Sequence, residues 1–115
     1  MNLFALALAA SLLAGGAAFA QDAAPQGSAE NGKKLFATDG CWQCHGYAGQ
    51  GAPGYAPRIA PKLLPYAAFL NQLRHPRAEM PPYEAAIVSD QQIADIYAYL
   101  KSQKEDDPKV VPSFY

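Results

Sequence analysis

A five-residue motif, Cys41-Trp42-Gln43-Cys44-His45, restricts the possible folds of this chain more than any other feature. The two cysteines lie three residues apart, close to one helical turn, so both thiols can point to the same side. Two such thiols can form thioether bonds with the two vinyl groups on one edge of a porphyrin. The histidine after Cys44 would then lie beneath the ring, where its Nε2 reaches the iron. A C-x-x-C-H run is the usual signature of covalent haem attachment.

Three other interpretations of the motif remain open. A thioredoxin-like dithiol needs a βαβ context, and no strand pattern precedes Cys41. A zinc site would have to use both histidines, His45 and His75, because the chain has only two cysteines. A structural disulfide would suit an exported protein. The adjoining histidine, an export signal and a thin protein core together favour covalent haem.

The first twenty residues predict export from the cytoplasm. Met1–Ala20 contains no ionisable side chain, is rich in Leu and Ala, and ends in a small-x-small cleavage site. We therefore expect residues 1–20 to be a cleaved signal peptide, residues 21–27 to be a flexible lead-in, and the mature protein to be periplasmic. A positively charged residue, which usually precedes such an apolar run, is absent here. The alternative to a cleaved signal peptide is that the run stays attached as a membrane anchor. After cleavage we expect no stable membrane span.

The rest of the chain is expected to form one small domain. Removing 20 of the 115 residues leaves about 95, which is too few for a second core. The domain is expected to span residues 28–103, with a C-terminal extension over residues 104–115. A formal net charge of −1 gives no reason to expect a nucleic-acid partner. Many apolar residues are Ala or Pro, so the protein core alone is thin, and a large flat apolar cofactor would make up the deficit.

Three helices separated by two long loops are predicted in this domain. Their expected ranges are about 28–37, 66–74 and 89–103. Ser28 is the expected N-cap of the first helix, Pro65 and Pro76 bound the second, and Ser89 with Gln92 predicts a capping box at the third. Apolar residues recur at helical spacing on one face of each helix: Ala29, Gly32, Leu35 and Phe36; Phe69, Leu70 and Leu73; Ile93, Ile96, Tyr97 and Leu100. Long loops without secondary structure are uncommon unless something organises them.

The order of these features resembles the class I cytochrome c family over nearly the whole predicted mature chain. A first helix with Gly32 and Phe36, the haem motif directly after it, a Met-Pro pair and an aromatic last helix over residues 94–100 occur in that order. The resemblance implies an all-α, cytochrome c-like fold, with three main helices and long loops wrapped around one covalent haem c. The haem would be attached through Cys41 and Cys44.

The resemblance also implies a close contact between the first and last helices. Gly32 would admit the close approach, with Phe36, Ile96 and Tyr99 packing around it. One difference from the mitochondrial members is the interval between Phe36 and Cys41, which is one residue longer here.

A second axial ligand has to approach the iron from the far side of the ring. Met80 is the only methionine outside the predicted signal peptide. Pro81 and Pro82 follow it and would hold the loop extended, which reduces the entropy lost when the thioether is presented to the iron. His45 and Met80 are therefore the predicted metal ligands. One alternative is that Met80 only fills a gap in the core. The other is that His75 is the second ligand, although we expect His75 to be a solvated surface residue.

Other residues are candidates for supporting the haem and its histidine ligand. An axial imidazole usually donates its other ring N–H to a carbonyl oxygen. By resemblance to the family's proline after the haem loop, the carbonyl of Pro57 is the expected acceptor; otherwise Pro57 only stiffens the loop. Four side chains could hydrogen-bond or shield the haem propionates: Trp42, Tyr47, Tyr55 and Arg58.

The expected ligand set indicates a function in electron transfer. His/Met ligation raises the reduction potential and leaves no open iron site for a substrate or dioxygen. No nucleophile–base pair or carboxylate constellation stands out as catalytic. We expect a periplasmic one-electron carrier, not an enzyme, whose partners are redox proteins such as a dehydrogenase or a terminal oxidase. The alternatives are a dedicated haem subunit of a periplasmic dehydrogenase and a ligand sensor from which Met80 dissociates.

Four basic residues fall between the haem motif and Met80: Arg58, Lys62, Arg74 and Arg77. We hypothesise that they rim the exposed haem edge and steer an acidic redox partner. The alternative is a set of scattered, solvated surface charges.

Overall fold

The computed structural model describes residues 23–104 and is helical, without a β-strand in that range. Its helices are α1 (Ala29–Thr38), α2 (Trp42–His45), α3 (Tyr66–Arg74) and α4 (Asp90–Lys101). The predicted all-α fold is confirmed, and its three main helices are α1, α3 and α4. The short α2 was not predicted, because one helical turn is too short to show a periodic pattern. The predicted signal peptide and nearly all of the C-terminal extension lie outside the described residues.

Helix α1 begins where the sequence predicts and extends one residue further. The Ser28 hydroxyl accepts a hydrogen bond from the backbone N–H of Asn31, which confirms the predicted N-cap. The helix runs to Thr38, and Asp39 and Gly40 then turn the chain into the haem motif. The four residues between Phe36 and Cys41 are thus the last two residues of α1 and a two-residue turn.

Helix α4 begins with the predicted capping box but ends two residues earlier than expected. The side chain of Ser89 accepts from the N–H of Gln92, and the side chain of Gln92 accepts from the N–H of Ser89. At the other end, the side chains of Ser102 and Gln103 both donate to the carbonyl oxygen of Tyr99. Because these polar side chains satisfy a carbonyl of the last turn, the helix ends at Lys101 instead of Gln103.

The two terminal helices cross at Gly32, as the family resemblance implies. A Cβ atom at this position would lie 1.9 Å from the carbonyl oxygen of Asp95, so the two backbones are in direct contact. The ring of Phe36 packs against that of Tyr99 with centroids 5.6 Å apart. Ile96 is also buried beside this contact. The crossing holds the C-terminal end of α1, and the haem motif that follows it, against α4.

A buried carboxylate ties the start of α1 to α4. Asp95 is only 7 % exposed and accepts hydrogen bonds from the Ser28 N–H at 2.8 Å and the Asn31 side chain at 2.7 Å. The Gln91 side chain also donates to it. Burial acts to raise the pKa of Asp95, but these hydrogen bonds outweigh burial and leave the pKa below its ordinary value. The ionised carboxylate is therefore part of the helix crossing.

Helix α3 contributes the remaining face of the core. Its residues Tyr66, Phe69 and Leu73 are buried, while Leu70, predicted on the same face, is half-buried. The Tyr97 ring meets those of Tyr66 and Phe69 edge-on, with centroids 5.2 and 5.1 Å away. Aromatic contacts thus join α3 to α4. None of the helices within residues 23–104 is both long enough and apolar enough to cross a bilayer.

Candidate haem-binding site

The haem motif forms a single helical turn directly after α1. Cys41 is the N-cap of α2 in a helical conformation, and Cys44 and His45 complete the turn. Both cysteines are half-buried and neither is in a disulfide. Their separation by three residues along a turn places them as neighbours on one face. Two free thiols in this arrangement are able to form the two thioether bonds.

The other ring nitrogen of the predicted histidine ligand is directed at the loop after the motif. Nδ1 of His45 lies 2.9 Å from the carbonyl oxygen of Pro57. A carbonyl can only accept, so this contact selects the tautomer with the proton on Nδ1 and leaves the lone pair of Nε2 for a metal. This is the contact that the resemblance implies for Pro57. The role of the pair toward iron stays a prediction.

Backbone hydrogen bonds fold the loop back so that Pro57 reaches His45. The N–H of Gly51 donates to the carbonyl of His45 at 2.8 Å, and the N–H of Ile59 donates to the carbonyl of Gly49 at 2.8 Å. Gly51 has a φ of 80°, and a Cβ there would lie 2.5 Å from the backbone nitrogen of Arg58. Only glycine fits this close return of the chain.

Two of the aromatic candidates for haem support pack against each other instead of standing free. The rings of Trp42 and Tyr47 are stacked, with centroids 4.6 Å apart and an angle of 8° between planes. The Trp42 indole donates to the carbonyl of Ala37, and the Tyr99 hydroxyl donates to the carbonyl of Tyr47. This pair braces α2 against α1 and α4. Its indole N–H is already used, so Trp42 has no donor left for a propionate.

The other two candidates lie on the exposed part of the loop. Tyr55 is 75 % exposed and Arg58 is also exposed. A hydrogen-bond interaction with the Cys44 thiol, followed by the charge of that group, raises the pKa of Tyr55. Tyr55 therefore lies beside the second attachment cysteine.

The predicted second ligand lies on the loop between α3 and α4. Met80 is half-buried and packs against the hydrophobic core. Its Sδ accepts a hydrogen bond from the side-chain amide of Gln72 at 3.7 Å. Sequence reasoning missed Gln72, although a signal was present: it lies three residues after Phe69 and directly before Leu73, so a polar residue adjoins the buried face of α3.

The rival ligand His75 lies at the C-cap of α3 and is exposed, as expected for a solvated histidine. Arg74, in contrast, does not belong to the hypothesised basic rim. Its side chain is 14 % exposed and donates to the backbone carbonyls of Tyr83 and Val88 and to the Asp90 carboxylate. That part of the hypothesis is wrong, because the guanidinium faces inward to satisfy carbonyls of the next loop.

Tyr83 connects the Met80 loop to the haem motif. Its hydroxyl donates to the carbonyl of Asp39 at 3.2 Å and lies 3.9 Å from the Sγ of Cys41. Burial, followed by the nearby Cys41 thiol, raises the pKa of Tyr83 well above its ordinary value, so the phenol stays protonated. Burial is also the main cause that raises the pKa of the Cys41 thiol. Tyr83 was not predicted, because its partners are more than forty residues away along the chain.

The donor types found on α2 and on the loop between α3 and α4 fit a covalently bound haem. They are two unbonded thiols on one turn, an imidazole whose Nδ1 is already paired, and a thioether held by an amide. A zinc site has less support, because no three His, Cys, Asp or Glu side chains between residues 23 and 104 are grouped as metal ligands.

Comparisons with known proteins agree with this geometry. Residues 27–100 match the family described as "Cytochrome C oxidase, cbb3-type, subunit III". The chain is also 33 % identical over 101 residues to cytochrome c-555 of Methylococcus capsulatus, an alignment that covers 86 % of this chain and 81 % of that protein. No solved structure gives a significant match.

Proposed function

The chain belongs to the class I c-type cytochromes, the family of haem-based electron carriers that hold haem c covalently, and on that premise we propose an exported one-electron carrier with His45 and Met80 as axial ligands. The bound haem supplies an iron centre that exchanges a single electron. Cys41 and Cys44 would hold it. The residues of the chain determine which atoms would bind the iron and therefore its reduction potential.

The contact between His45 and Pro57 is the observation that carries the proposal. A histidine whose Nδ1–H is held at 2.9 Å by a carbonyl has a defined ring plane and presents Nε2. The same hydrogen bond increases the basicity of the imidazole, which strengthens it as a ligand. The histidine is thus prepared to bind before any metal is present.

Met80 would complete the ligand set from the opposite side. Its thioether is half-buried, and the prolines at 81 and 82 restrict the backbone that presents it. A thioether opposite an imidazole favours reduced iron, so we expect a comparatively high reduction potential. The amide of Gln72 on the sulfur withdraws electron density and acts in the same direction.

We further propose that residues 1–20 direct export, that residues 28–103 form the cytochrome domain in the periplasm, and that residues 104–115 extend from it. Electrons would pass to and from other redox proteins, such as a dehydrogenase or a terminal oxidase. Covalent attachment suits this setting, because a carrier that diffuses between partners must not lose its cofactor.

The optical spectrum of the protein matured in a haem-attaching host tests the ligand set. We expect sharp reduced bands, and in the oxidised form a weak sulfur-to-iron band at the red end of the visible range. Covalent haem without that band would contradict Met80 as ligand. N-terminal sequencing of the same material should give Gln21 as the first residue, and an intact Met1 would contradict cleavage.

A role as a subunit of a larger complex is the second candidate. The matched family is described as a subunit of an oxidase, and this description is the observation that supports a stable assembly as the second candidate. Affinity purification from the native membranes and periplasm distinguishes the two. A stoichiometric larger oxidoreductase in the eluate supports the subunit role, whereas a monomeric haem protein supports the carrier.

A further inference from the structure

The guanidinium of Arg74 makes three hydrogen bonds next to the loop that carries the predicted methionine ligand. Its Nη1 donates to the carbonyls of Tyr83 and Val88, the latter at 2.8 Å, and its Nη2 donates to the Asp90 carboxylate. An exposed ion pair contributes little to stability. Here the arginine side chain is 14 % exposed and donates to three acceptors through two of the nitrogens of its planar guanidinium.

These acceptors hold the segment that follows Met80. Tyr83 lies three residues after Met80, Val88 ends the loop in the buried core, and Asp90 is the first residue of α4. The backbone N–H of Tyr83 also donates to the carbonyl of Leu73 at 2.9 Å. The last turn of α3 therefore holds Tyr83 through both its backbone N–H and its backbone carbonyl.

Three consecutive residues of that turn each hold the loop at a different point. Gln72 donates to the Met80 sulfur, the Leu73 carbonyl accepts from Tyr83, and Arg74 binds the Tyr83 carbonyl. Of these contacts, the one made by Arg74 is charge-assisted and mostly shielded from water, so it is the strongest.

Apart from the packing of Met80 on the core and the contact of the Tyr83 hydroxyl with Asp39, much of the loop faces solvent. Arg77, Ala78 and Glu79 are exposed, as are the prolines at 81 and 82. Ala78 has a φ of 58°, a left-handed conformation that is unfavourable for a residue with a Cβ atom. A loop with an exposed chain and a strained residue keeps its conformation only if its ends are anchored.

We propose that Arg74 is a positioning residue for the second axial ligand: by binding the carbonyls of Tyr83 and Val88 it keeps the Met80 thioether against the haem iron and suppresses opening of the loop. The proposal rests on the His45/Met80 ligation proposed above. Arg74 acts through the backbone that carries Met80 and does not itself touch the ligand.

Carbon monoxide binding to the reduced holoprotein tests this role, because the gas can bind only after the thioether leaves the iron. In Arg74→Gln we expect binding about tenfold faster than in the wild type, the factor that corresponds to losing one charge-assisted hydrogen bond. The oxidised form should show a weaker sulfur-to-iron band. Arg74→Lys keeps the charge but not the planar guanidinium. Its carbon monoxide binding rate and band intensity should lie between those of Arg74→Gln and the wild type.

Arg77→Gln is the matched control, since it removes the same charge three residues further along the chain, at an exposed position. It should leave carbon monoxide binding and the band unchanged. If Arg74→Gln unfolds more easily than the wild type yet keeps wild-type gas binding and band intensity, its role is merely structural and the proposal is overturned. Absence of the band in the wild type would instead contradict Met80 ligation itself.

Asp90→Asn provides a second test that does not depend on the folding of an Arg74 variant. It removes the charge of one partner of the guanidinium, at a side chain that is 68 % exposed, and leaves an amide oxygen that can still accept. We expect a smaller acceleration of carbon monoxide binding, about two- to threefold. If Arg74→Gln does not fold and Asp90→Asn binds the gas at the wild-type rate, the proposal is also overturned.

Discussion

Nδ1 of His45 lies 2.9 Å from the carbonyl oxygen of Pro57, twelve residues further along the chain. The contact decides which ring nitrogen keeps its proton and which is available to a metal. It depends on a loop that returns through Gly51, where the space admits no Cβ atom. The histidine of the haem motif is therefore oriented by a fold that protein residues alone form.

Replacing Met80 by Leu should remove the sixth ligand and preserve the volume of the side chain. We expect haem to stay attached, the sulfur-to-iron band to vanish, and the reduction potential to fall by on the order of 0.1 V, within the range of about 0.8 V that axial ligands span. Redox titration measures this. His75→Gln is the control and should change neither quantity. A wild type without the band, together with a reduction potential that changes in His75→Gln and not in Met80→Leu, would identify His75 as the ligand.

Replacing Gln72 by Leu should lower the reduction potential without removing a ligand. The amide donates to the Met80 sulfur at 3.7 Å, and without this donor the thioether stabilises oxidised iron better. A neutral hydrogen bond of about 1 kcal/mol corresponds to roughly 40 mV for one electron. Asn71→Leu makes the same change at the exposed neighbouring position and should have little effect. Equal potentials for the two variants would show that the amide does not tune the ligand.

Asp95 should make folding sensitive to acid. Its pKa in the folded protein is lower than the unfolded value of about 3.9, so it stabilises the fold above that pH. This contribution is lost as the pH falls through the folded pKa. Asp95→Asn should lower the free energy of unfolding at pH 7 by about 2 kcal/mol and remove part of the acid sensitivity, measured by denaturant titration at pH 7 and pH 3.

Glu30→Gln is the matched control for Asp95, because Glu30 is a carboxylate on α1 that forms an exposed ion pair with Lys34. Its loss should change stability by no more than about 0.5 kcal/mol. If both variants lose the same stability with the same pH profile, the buried hydrogen bonds of Asp95 are not responsible.

Replacing Gly32 by Ala should separate α1 from α4. The new methyl group would lie 1.9 Å from the Asp95 carbonyl oxygen, a backbone atom that cannot move aside without displacing the helix. We expect a loss of about 3 kcal/mol or more in the free energy of unfolding of the holoprotein. Lys33→Ala, at the exposed adjacent position, should be close to neutral. A stable Gly32→Ala variant would refute the close crossing.

The local features of the fold could be predicted from the sequence because they depend on residues a few positions apart. The Ser28 cap, the capping box formed by Ser89 and Gln92, and the range of α3 all depend on such short-range patterns. The end of α4 at Lys101 could not be predicted, because it depends on which side chains happen to satisfy the carbonyl of Tyr99.

The contacts that organise the site were hidden from sequence reasoning for a different reason. From the sequence, Arg74 is expected to be a surface cation. It donates hydrogen bonds to backbone carbonyls only because the loop folds against α3. From the sequence, Asp95 is expected on the polar, solvated face of α4. It is buried because it contacts α1, which lies more than sixty residues earlier in the chain. Such polar groups are buried only because distant partners satisfy them.

The mass of the intact protein, purified from the periplasm of a host that matures c-type cytochromes, tests the central claim most directly. We expect the mass of the polypeptide from Gln21 plus one haem that acid extraction does not remove. Replacing both Cys41 and Cys44 by Ala should abolish this covalent addition. A colourless wild-type protein with the mass of the polypeptide alone would contradict the account.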